Sequence, residues 1–206
     1  HELRLQSLRD GPLNYVVGAF YDDAEVDYKM LFIQPGMSED YWAAGIEDNF
    51  YRTDQVRTDK QRAIFGEISY GLSDALIATL GARRFWNESQ LQGGVGYGDS
   101  PTFSGGMINV DSTVEDQGNI YKANISWHVD FDRLLYLTFS EGYRMGGLNR
   151  DASSPSPDYA PDLIRNHELG WKTSWMDNRL RVNGALYYMV WDDMQFSYYD
   201  VAISPV

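Results

Sequence analysis

The chain has 206 residues, a formal net charge of −13 and no cysteine. This charge argues against a nucleic-acid partner, because phosphate binding needs clustered lysine and arginine. The lack of cysteine excludes disulfides, thiolate zinc sites and cysteine nucleophiles. Uncharged apolar stretches reach only about 11 residues, too short for a transmembrane helix of roughly 20. The mean hydropathy of −0.44 describes an acidic, water-soluble globule, but an aromatic content of 15% fits that description poorly.

Apolar and polar residues alternate with a period of two over stretches of about 8–12 residues, the pattern of half-buried β-strands. In residues 120–129 the apolar face is formed by Tyr121, Ala123, Ile125 and Trp127. The alternation predicts an all-β protein of about eight strands, at residues 2–8, 13–23, 61–71, 75–86, 118–129, 133–144, 163–174 and 179–191.

Short and long connections alternate between these strands. The short ones are rich in Asp, Asn, Gly and Pro, as turns require. The long ones cover residues 24–60, 87–117 and 145–162. Compact soluble domains rarely hold several loops of this length, whereas transmembrane β-barrels have short periplasmic turns and long extracellular loops. The pattern therefore favours an antiparallel transmembrane β-barrel with its apolar face toward lipid. A soluble β-sandwich, with that face in a core, is the alternative.

Four segments of the chain have recognisable sequences. Residues 2–7 lead into the strand at 15–21, residues 141–150 read EGYRMGGLNR, 166–172 read NHELGWK, and 185–195 read ALYYMVWDDMQ. In this order they resemble barrel segments of TonB-dependent outer-membrane receptors of the siderophore and iron-complex type. The resemblance implies a 22-stranded barrel around an N-terminal plug.

The resemblance also carries expectations about domain organisation. Residues 1–206 are expected to form one partial barrel domain, with the plug domain and the C-terminal strands absent. About 26 residues per strand would put a 22-stranded wall at roughly 570 residues. A passive porin or a small closed eight-stranded outer-membrane barrel is the alternative from a different functional class.

The function that the resemblance implies is TonB-dependent active uptake across the outer membrane of a Gram-negative bacterium. The ligand would be a ferric siderophore or a similar scarce nutrient, and TonB would act through the plug region. Outer-membrane lipid and lipopolysaccharide would surround the wall. No cofactor and no nucleic acid are implied.

Aromatic and cationic side chains in the predicted loops are the candidate ligand-binding residues, since receptors of the resembled family hold iron complexes with such groups. These candidates are Tyr41, Trp42, Tyr97, Phe103, Arg144, Arg150 and Tyr159. The two arginines flank the Gly146-Gly147 pair, so we expect them at the rim of a ligand vestibule. Interfacial girdles and ordinary lumen polarity are the alternative explanation.

Four carboxylates stand close together where the first long loop is predicted to begin. They are Asp22, Asp23, Glu25 and Asp27. Carboxylates in this density can bind a divalent cation or bridge to lipopolysaccharide through one. Solvation of a surface loop is the simpler explanation and the one that the sequence favours, and no other metal site is expected.

The sequence does not support an enzyme. The glycine-rich residues 93–98 lack a following helix and a Lys-Ser/Thr pair, so they are not a phosphate-binding loop. His128 and Asp130 fall in a predicted turn, where Asp is common. Asp192 and Asp193 are neighbours on a predicted strand, so their side chains point to opposite faces and cannot act as a cooperating acid and base.

Overall fold

The computed structural model describes residues 1–7, 11–33, 35, 49–97, 108–150 and 156–197, with the backbone alone at residues 49, 50 and 97. The strands are β1 (Glu2–Gln6), β2 (Leu13–Ile33), β3 (Asn49–Ser73), β4 (Leu76–Tyr97), β5 (Ile108–Asp130), β6 (Arg133–Arg144), β7 (Gly147–Leu148), β8 (Asp158–Tyr159), β9 (Asp162–Trp175) and β10 (Leu180–Asp192). Eight of them form one sheet in the order β1-β2-β3-β4-β5-β6-β9-β10, while β7 and β8 form a two-stranded sheet. Within the described ranges, no helix has the length and apolarity to cross a membrane.

Every neighbouring pair in the large sheet is antiparallel, and the strands follow one another as a meander. The all-β class and the predicted turns are confirmed. The turn between β9 and β10 contains Met176, Asp177 and Asn178, which have φ angles of 54°, 55° and 66°. Asp and Asn adopt this left-handed region more readily than most residues.

The predicted loops at 24–60 and 87–117 are wrong for most of their length. β2 continues to Ile33 and pairs with a β3 that begins at Asn49, and β4 and β5 continue in the same way. Ladder hydrogen bonds and polar cross-strand pairs hold these extensions, for example Lys60 Nζ to Glu88 Oε1 at 2.9 Å. The hydrogen bond to Glu88 raises the pKa of Lys60 and lowers that of Glu88.

One face of the sheet, called the outer face below, carries continuous rows of exposed apolar side chains. Ile125, Leu137, Leu169 and Leu186 pair across β5, β6, β9 and β10 and are 48%, 56%, 50% and 67% exposed. No second sheet covers this face in the described part of the chain. An apolar patch of this size is uncommon on soluble proteins, but it is what a barrel wall presents to lipid.

Aromatic and cationic residues border the apolar band. At its upper limit the guanidinium of Arg62 lies 6.0 Å from the ring centroid of Tyr21, and that of Arg84 lies 5.3 Å from Trp86. Below it, Tyr70 ends the apolar row of β3. The band on β3 covers residues 62–70, and this length is close to the roughly 9–11 residues that a tilted strand needs to cross the hydrocarbon core. The remaining upper part of β3 therefore extends beyond the membrane.

The opposite face, called the inner face, is polar within the band. Lys122 Nζ donates to Glu67 Oε2 at 2.8 Å, and Tyr136 Oη donates to Glu168 Oε1 at 2.6 Å. These polar side chains hydrogen-bond to one another, so this part of the inner face is stable without an apolar core. The period-two pattern thus separates a lipid-facing surface from a lumen-facing one.

Gly118 provides a test of packing on the inner face. The ring of Phe85 lies against it, and an added Cβ would be 2.6 Å from Phe85 Cζ. We expect Gly118→Ala to displace the ring and destabilise the folded protein by about 1–3 kcal/mol, as overpacking does. Denaturant unfolding in detergent micelles measures this change. Gly81→Ala is the matched control, because its Cβ would have ordinary contacts of 3.6 Å; an equal loss in both variants would contradict the expectation.

Candidate functional site

The connection between β6 and β9 turns back over the inner face of the sheet. Gly147 pairs with Tyr159, and Leu148 with Asp158, as the two strands β7 and β8. We call residues 145–150 and 156–161 the inner hairpin. Leu148 is only 3% exposed because β7 packs on β4 and β5. A connection predicted to be a long loop therefore contains a structured element on the inner face of the sheet.

The end of β7 is held by side chains from β2 and β3. Arg57 Nη2 donates to the carbonyl oxygen of Leu148 at 2.5 Å, and Gln55 Nε2 donates to that of Arg150 at 2.7 Å. The guanidinium of Arg150 lies 3.7 Å from the ring centroid of Tyr28, a cation–π contact. The inner hairpin consequently extends from β6 across the sheet as far as β2.

The base of the inner hairpin is fixed by a buried carboxylate. Asp162, 4% exposed, accepts hydrogen bonds from Arg144 Nε at 3.1 Å and from the backbone N–H of Gln195 at 3.1 Å. Gln195 Nε2 also donates to the carbonyl oxygens of Met145 and Ala160, at 3.1 and 2.8 Å. These bonds join the end of β6, both ends of the hairpin and the segment after β10.

Two opposing effects act on the pKa of Asp162. Burial is the largest, and it raises the pKa because it penalises the charged form. Hydrogen bonds from Arg144, from the backbone of Gln195 and from the side chain of Trp191 together outweigh it. The pKa of Asp162 is therefore below its usual 3.8, and the carboxylate is ionised at neutral pH.

A small core lies beneath the inner hairpin. It includes Leu148 and the sheet residues Ala63, Phe85, Leu91 and Val95, all at most 4% exposed. Tyr143, at the end of β6, stacks on Phe85 with ring centroids 3.6 Å apart and planes 4° from parallel. The hairpin is thus packed on the wall as well as hydrogen-bonded to it.

A groove of about 140 Å³ remains between the inner hairpin and the strands β4 and β5. Its sheet side is formed by Asn87, Ser89, Val114 and Asp116, with Glu115 beside them. Its hairpin side is formed by residues 145–147 and 158–161. The lining contains two inward-facing acidic side chains, Asp116 and Asp158, and no lysine, arginine or histidine, since Glu115 is opposite Glu88 on the outer face. Its chemistry favours groups that donate hydrogen bonds.

The predicted ligand-binding residues fall into two groups. Tyr41, Trp42 and Phe103 lie outside the described residues, and of Tyr97 only the backbone at the end of β4 is described. Tyr159 lines the groove, Arg150 stacks on Tyr28, and Arg144 binds Asp162. Tyr159 and Arg150 belong to the inner hairpin and Arg144 ends β6 at its base, and the two arginines have different neighbours.

The predicted acidic group is divided between two faces. It lies within β2 rather than in a loop, because β2 extends to Ile33. Alternation puts Asp22 on the inner face and Asp23, Glu25 and Asp27 on the outer face. Among the residues that the structure describes, no group of three or more potential ligands could hold a metal ion.

The carboxylates near the end of β10 have ion-pair partners. Arg165 Nη1 lies 2.5 Å from Asp192 Oδ2, and Arg165 Nε lies 3.6 Å from Glu141 Oε1. Asp193 follows β10 with a φ of 53°. Arg165 lies between Glu141 and Asp192, so these ion pairs join β6, β9 and β10.

Several residues of the site carry no recognisable signal in the sequence. Gln55, Asn87 and Asp116 lie in stretches that were predicted to be loops, and Asp162 stands next to a proline at the end of another. Only the extension of β3, β4 and β5 brings the first three onto one face. Finding these residues from the sequence would have required extending the predicted strands through stretches in which nearly all residues are polar.

Long antiparallel strands with an exposed apolar outer face and a polar inner face define the wall of an outer-membrane type of β-barrel. The chain belongs to the TonB-dependent receptor-like β-barrel family, whose model matches residues 3–205. The family predicted from the four sequence segments is confirmed. It is a family of transport receptors of the outer membrane of Gram-negative bacteria.

Solved structures share the fold at low sequence identity. The ferric yersiniabactin uptake receptor FyuA from Yersinia pestis has a TM-score of 0.77 and 17% identity over 94% of this chain and 28% of its own. The siderophore receptor PiuA from Acinetobacter baumannii has a TM-score of 0.62 and 13% identity over 90% of this chain and 30% of its own. The ferric-catecholate import receptor Fiu from Escherichia coli K12 has a TM-score of 0.60 and 13% identity over 90% of this chain and 30% of its own. No curated protein matches the sequence. The chain spans less than a third of each of these structures.

Proposed function

We propose that this chain is part of the wall of an outer-membrane receptor that imports a ferric siderophore or a similar scarce nutrient. Family membership over residues 3–205 is the observation that carries the proposal. The names of FyuA, PiuA and Fiu, all receptors for siderophores or their iron complexes, support the choice of ligand. Energy would come from TonB through a plug domain.

The edges of the sheet support a larger barrel. Within the described ranges β1 pairs with β2 alone and β10 with β9 alone, so each presents one edge without a partner strand there. Unpaired edges are unfavourable in lipid, where no water satisfies the backbone groups. Further strands on both sides would remove them.

This chain would have two roles in the receptor. The outer face would contact lipid, and above the band it would contact lipopolysaccharide. The inner hairpin would narrow the vestibule and present Arg150 and Tyr159 to a ligand. Uptake would be transport without chemical conversion of the cargo.

Iron uptake by cells tests the proposal. In an iron-starved strain that depends on the full-length protein, deletion of its gene should abolish uptake of the radiolabelled iron complex. Deletion of tonB should abolish it to the same extent, because the transport is energised. Uptake that persists without TonB and stays proportional to ligand concentration would instead identify a passive porin.

A further inference from the structure

The groove between the inner hairpin and the strands β4 and β5 has a lining that selects a particular kind of group. We propose that it binds a positively charged, hydrogen-bond-donating group of the transported ligand, namely an alkylammonium. This inference rests on the proposed function, since it names a chemical feature of the cargo. It contrasts with Arg150 at the other end of the hairpin, whose guanidinium suits an anionic group.

The charge of the groove is the first argument. Asp116 and Asp158 line it from opposite sides, one on β5 and the other on β8. Neither carboxylate has an ion-pair partner among the described residues. Two unpaired carboxylates that face one space attract a cation and repel an anion.

None of the residues that line the groove is an arginine. Arg57 donates to the carbonyl oxygen of Leu148 and Arg150 lies over Tyr28, while Arg144 is paired with Asp162. The space between Asp116 and Asp158 therefore holds no cation of the lining and is open to one from a ligand.

An unpartnered acceptor is the second and independent argument. Asn87 lines the groove and is 4% exposed, yet its Oδ1 has no hydrogen-bond partner among the residues that the structure describes. Its Nδ2 donates to Asp116 Oδ2 at 3.4 Å, which fixes the orientation of the amide. A buried acceptor without a partner costs about 1–3 kcal/mol. A donor supplied by the ligand would remove that cost, and an ammonium has three.

The hairpin adds an aromatic surface. Tyr159 lines the groove and lies against Gly147, where an added Cβ would be 2.6 Å from Tyr159 Oη. The missing side chain at Gly147 lets the ring take this position. Aromatic rings attract cations through their π faces. The groove volume of about 140 Å³ suits a short alkyl chain that ends in an ammonium.

The probe that tests this proposal is n-butylammonium, measured on the purified full-length receptor by ligand-observed NMR. We expect millimolar binding of n-butylammonium, weaker binding of 1-butanol and none of butyrate. The double variant Asp116→Asn/Asp158→Asn should weaken binding of n-butylammonium about tenfold, as expected when charge-assisted hydrogen bonds become neutral. Both substitutions keep the shape of the side chain, so folding is preserved.

The matched control is Asp111→Asn/Glu88→Gln, which removes two carboxylates from the outer face of β5 and β4, the two strands that line the groove. It should leave the affinity for n-butylammonium unchanged. The control changes the net charge of the protein as much as the test variant does, but it leaves the groove intact. Failure of n-butylammonium to bind, equal binding of butyrate, or equal weakening by both double variants would overturn the proposal.

The two proposals can fail separately. The titration uses purified protein, and it needs neither TonB nor an iron complex. A receptor that binds n-butylammonium but imports no iron would refute the proposed function and support the binding of an ammonium group in the groove. TonB-dependent iron uptake by a protein that does not bind the probe would refute the groove alone.

Discussion

Leu137→Arg is expected to destabilise the folded protein by about 2–4 kcal/mol, the cost of an arginine on the lipid face near the bilayer midplane. Leu137 is 56% exposed and lies between Ile125 and Leu169 in the middle of the apolar band. The guanidinium would have no water and no carboxylate within this row. Unfolding by denaturant of the full-length protein in lipid vesicles measures the change.

Thr138→Arg is the matched control for this prediction. Thr138 is the next residue on β6, and it points to the inner face opposite Glu168. Arginine there would gain a carboxylate partner and remain hydrated in the lumen. The destabilisation should be within about 1 kcal/mol, as for an exposed ion pair. Equal losses in the two variants would contradict the assignment of the faces.

Asp162→Asn should release the inner hairpin without unfolding the sheet. The variant keeps the volume of the side chain but loses the charge that binds Arg144, which we expect to cost about 1–3 kcal/mol locally. Limited proteolysis of the folded protein should then cut within residues 145–161 faster than in the wild type. Asp158→Asn, in the same hairpin and without an ion pair, should leave the cleavage rate unchanged.

The same carboxylate predicts a pH dependence. Because the pKa of Asp162 is lowered by folding, its contribution to hairpin stability is complete above the unfolded pKa and is lost as pH falls through the folded value. Proteolysis by an acid-active protease should therefore accelerate in the wild type on acidification below about pH 4. Asp162→Asn should show no such acceleration, and a parallel response of both proteins would refute the role of this group.

The sequence predicts the lower part of the sheet accurately, and the reason is physical. Within the band, one face meets lipid and the other meets polar groups, so Leu135 and Leu137 alternate with Tyr136 and Thr138. Turn residues such as Asp74 mark the short connections. β6 accordingly has the same bounds in the prediction and in the structure, residues 133–144.

The upper part of the sheet was missed because this pattern stops where the membrane stops. Above Arg62 both faces of β3 meet polar surroundings, so residues such as Asp59, Lys60 and Gln61 show no alternation in hydropathy. Their strand geometry comes from the ladder of backbone hydrogen bonds with β2 and β4. Backbone pairing of this kind leaves little trace in a single sequence.

The candidate site was located in part. Arg144, Arg150 and Tyr159 were chosen as ligand-binding residues, and all three belong to the inner hairpin or its base. The partners that define their surroundings are far away in sequence, since Gln55 binds a residue 95 positions later. Asn87 and Asp116 depend on the same long-range register. Whether any of the chosen residues binds ligand remains a prediction.

The inner hairpin has a mechanical consequence for the curved wall. It leaves the sheet at β6 and is fastened to β3 and β2, so it spans several strand spacings of about 4.8 Å each. Such a connection acts as a chord across an arc, and it resists both flattening and tighter curling of these strands. The spacing of these strands is therefore set by a brace within the chain. Motions of the sheet would have to occur beyond the braced strands.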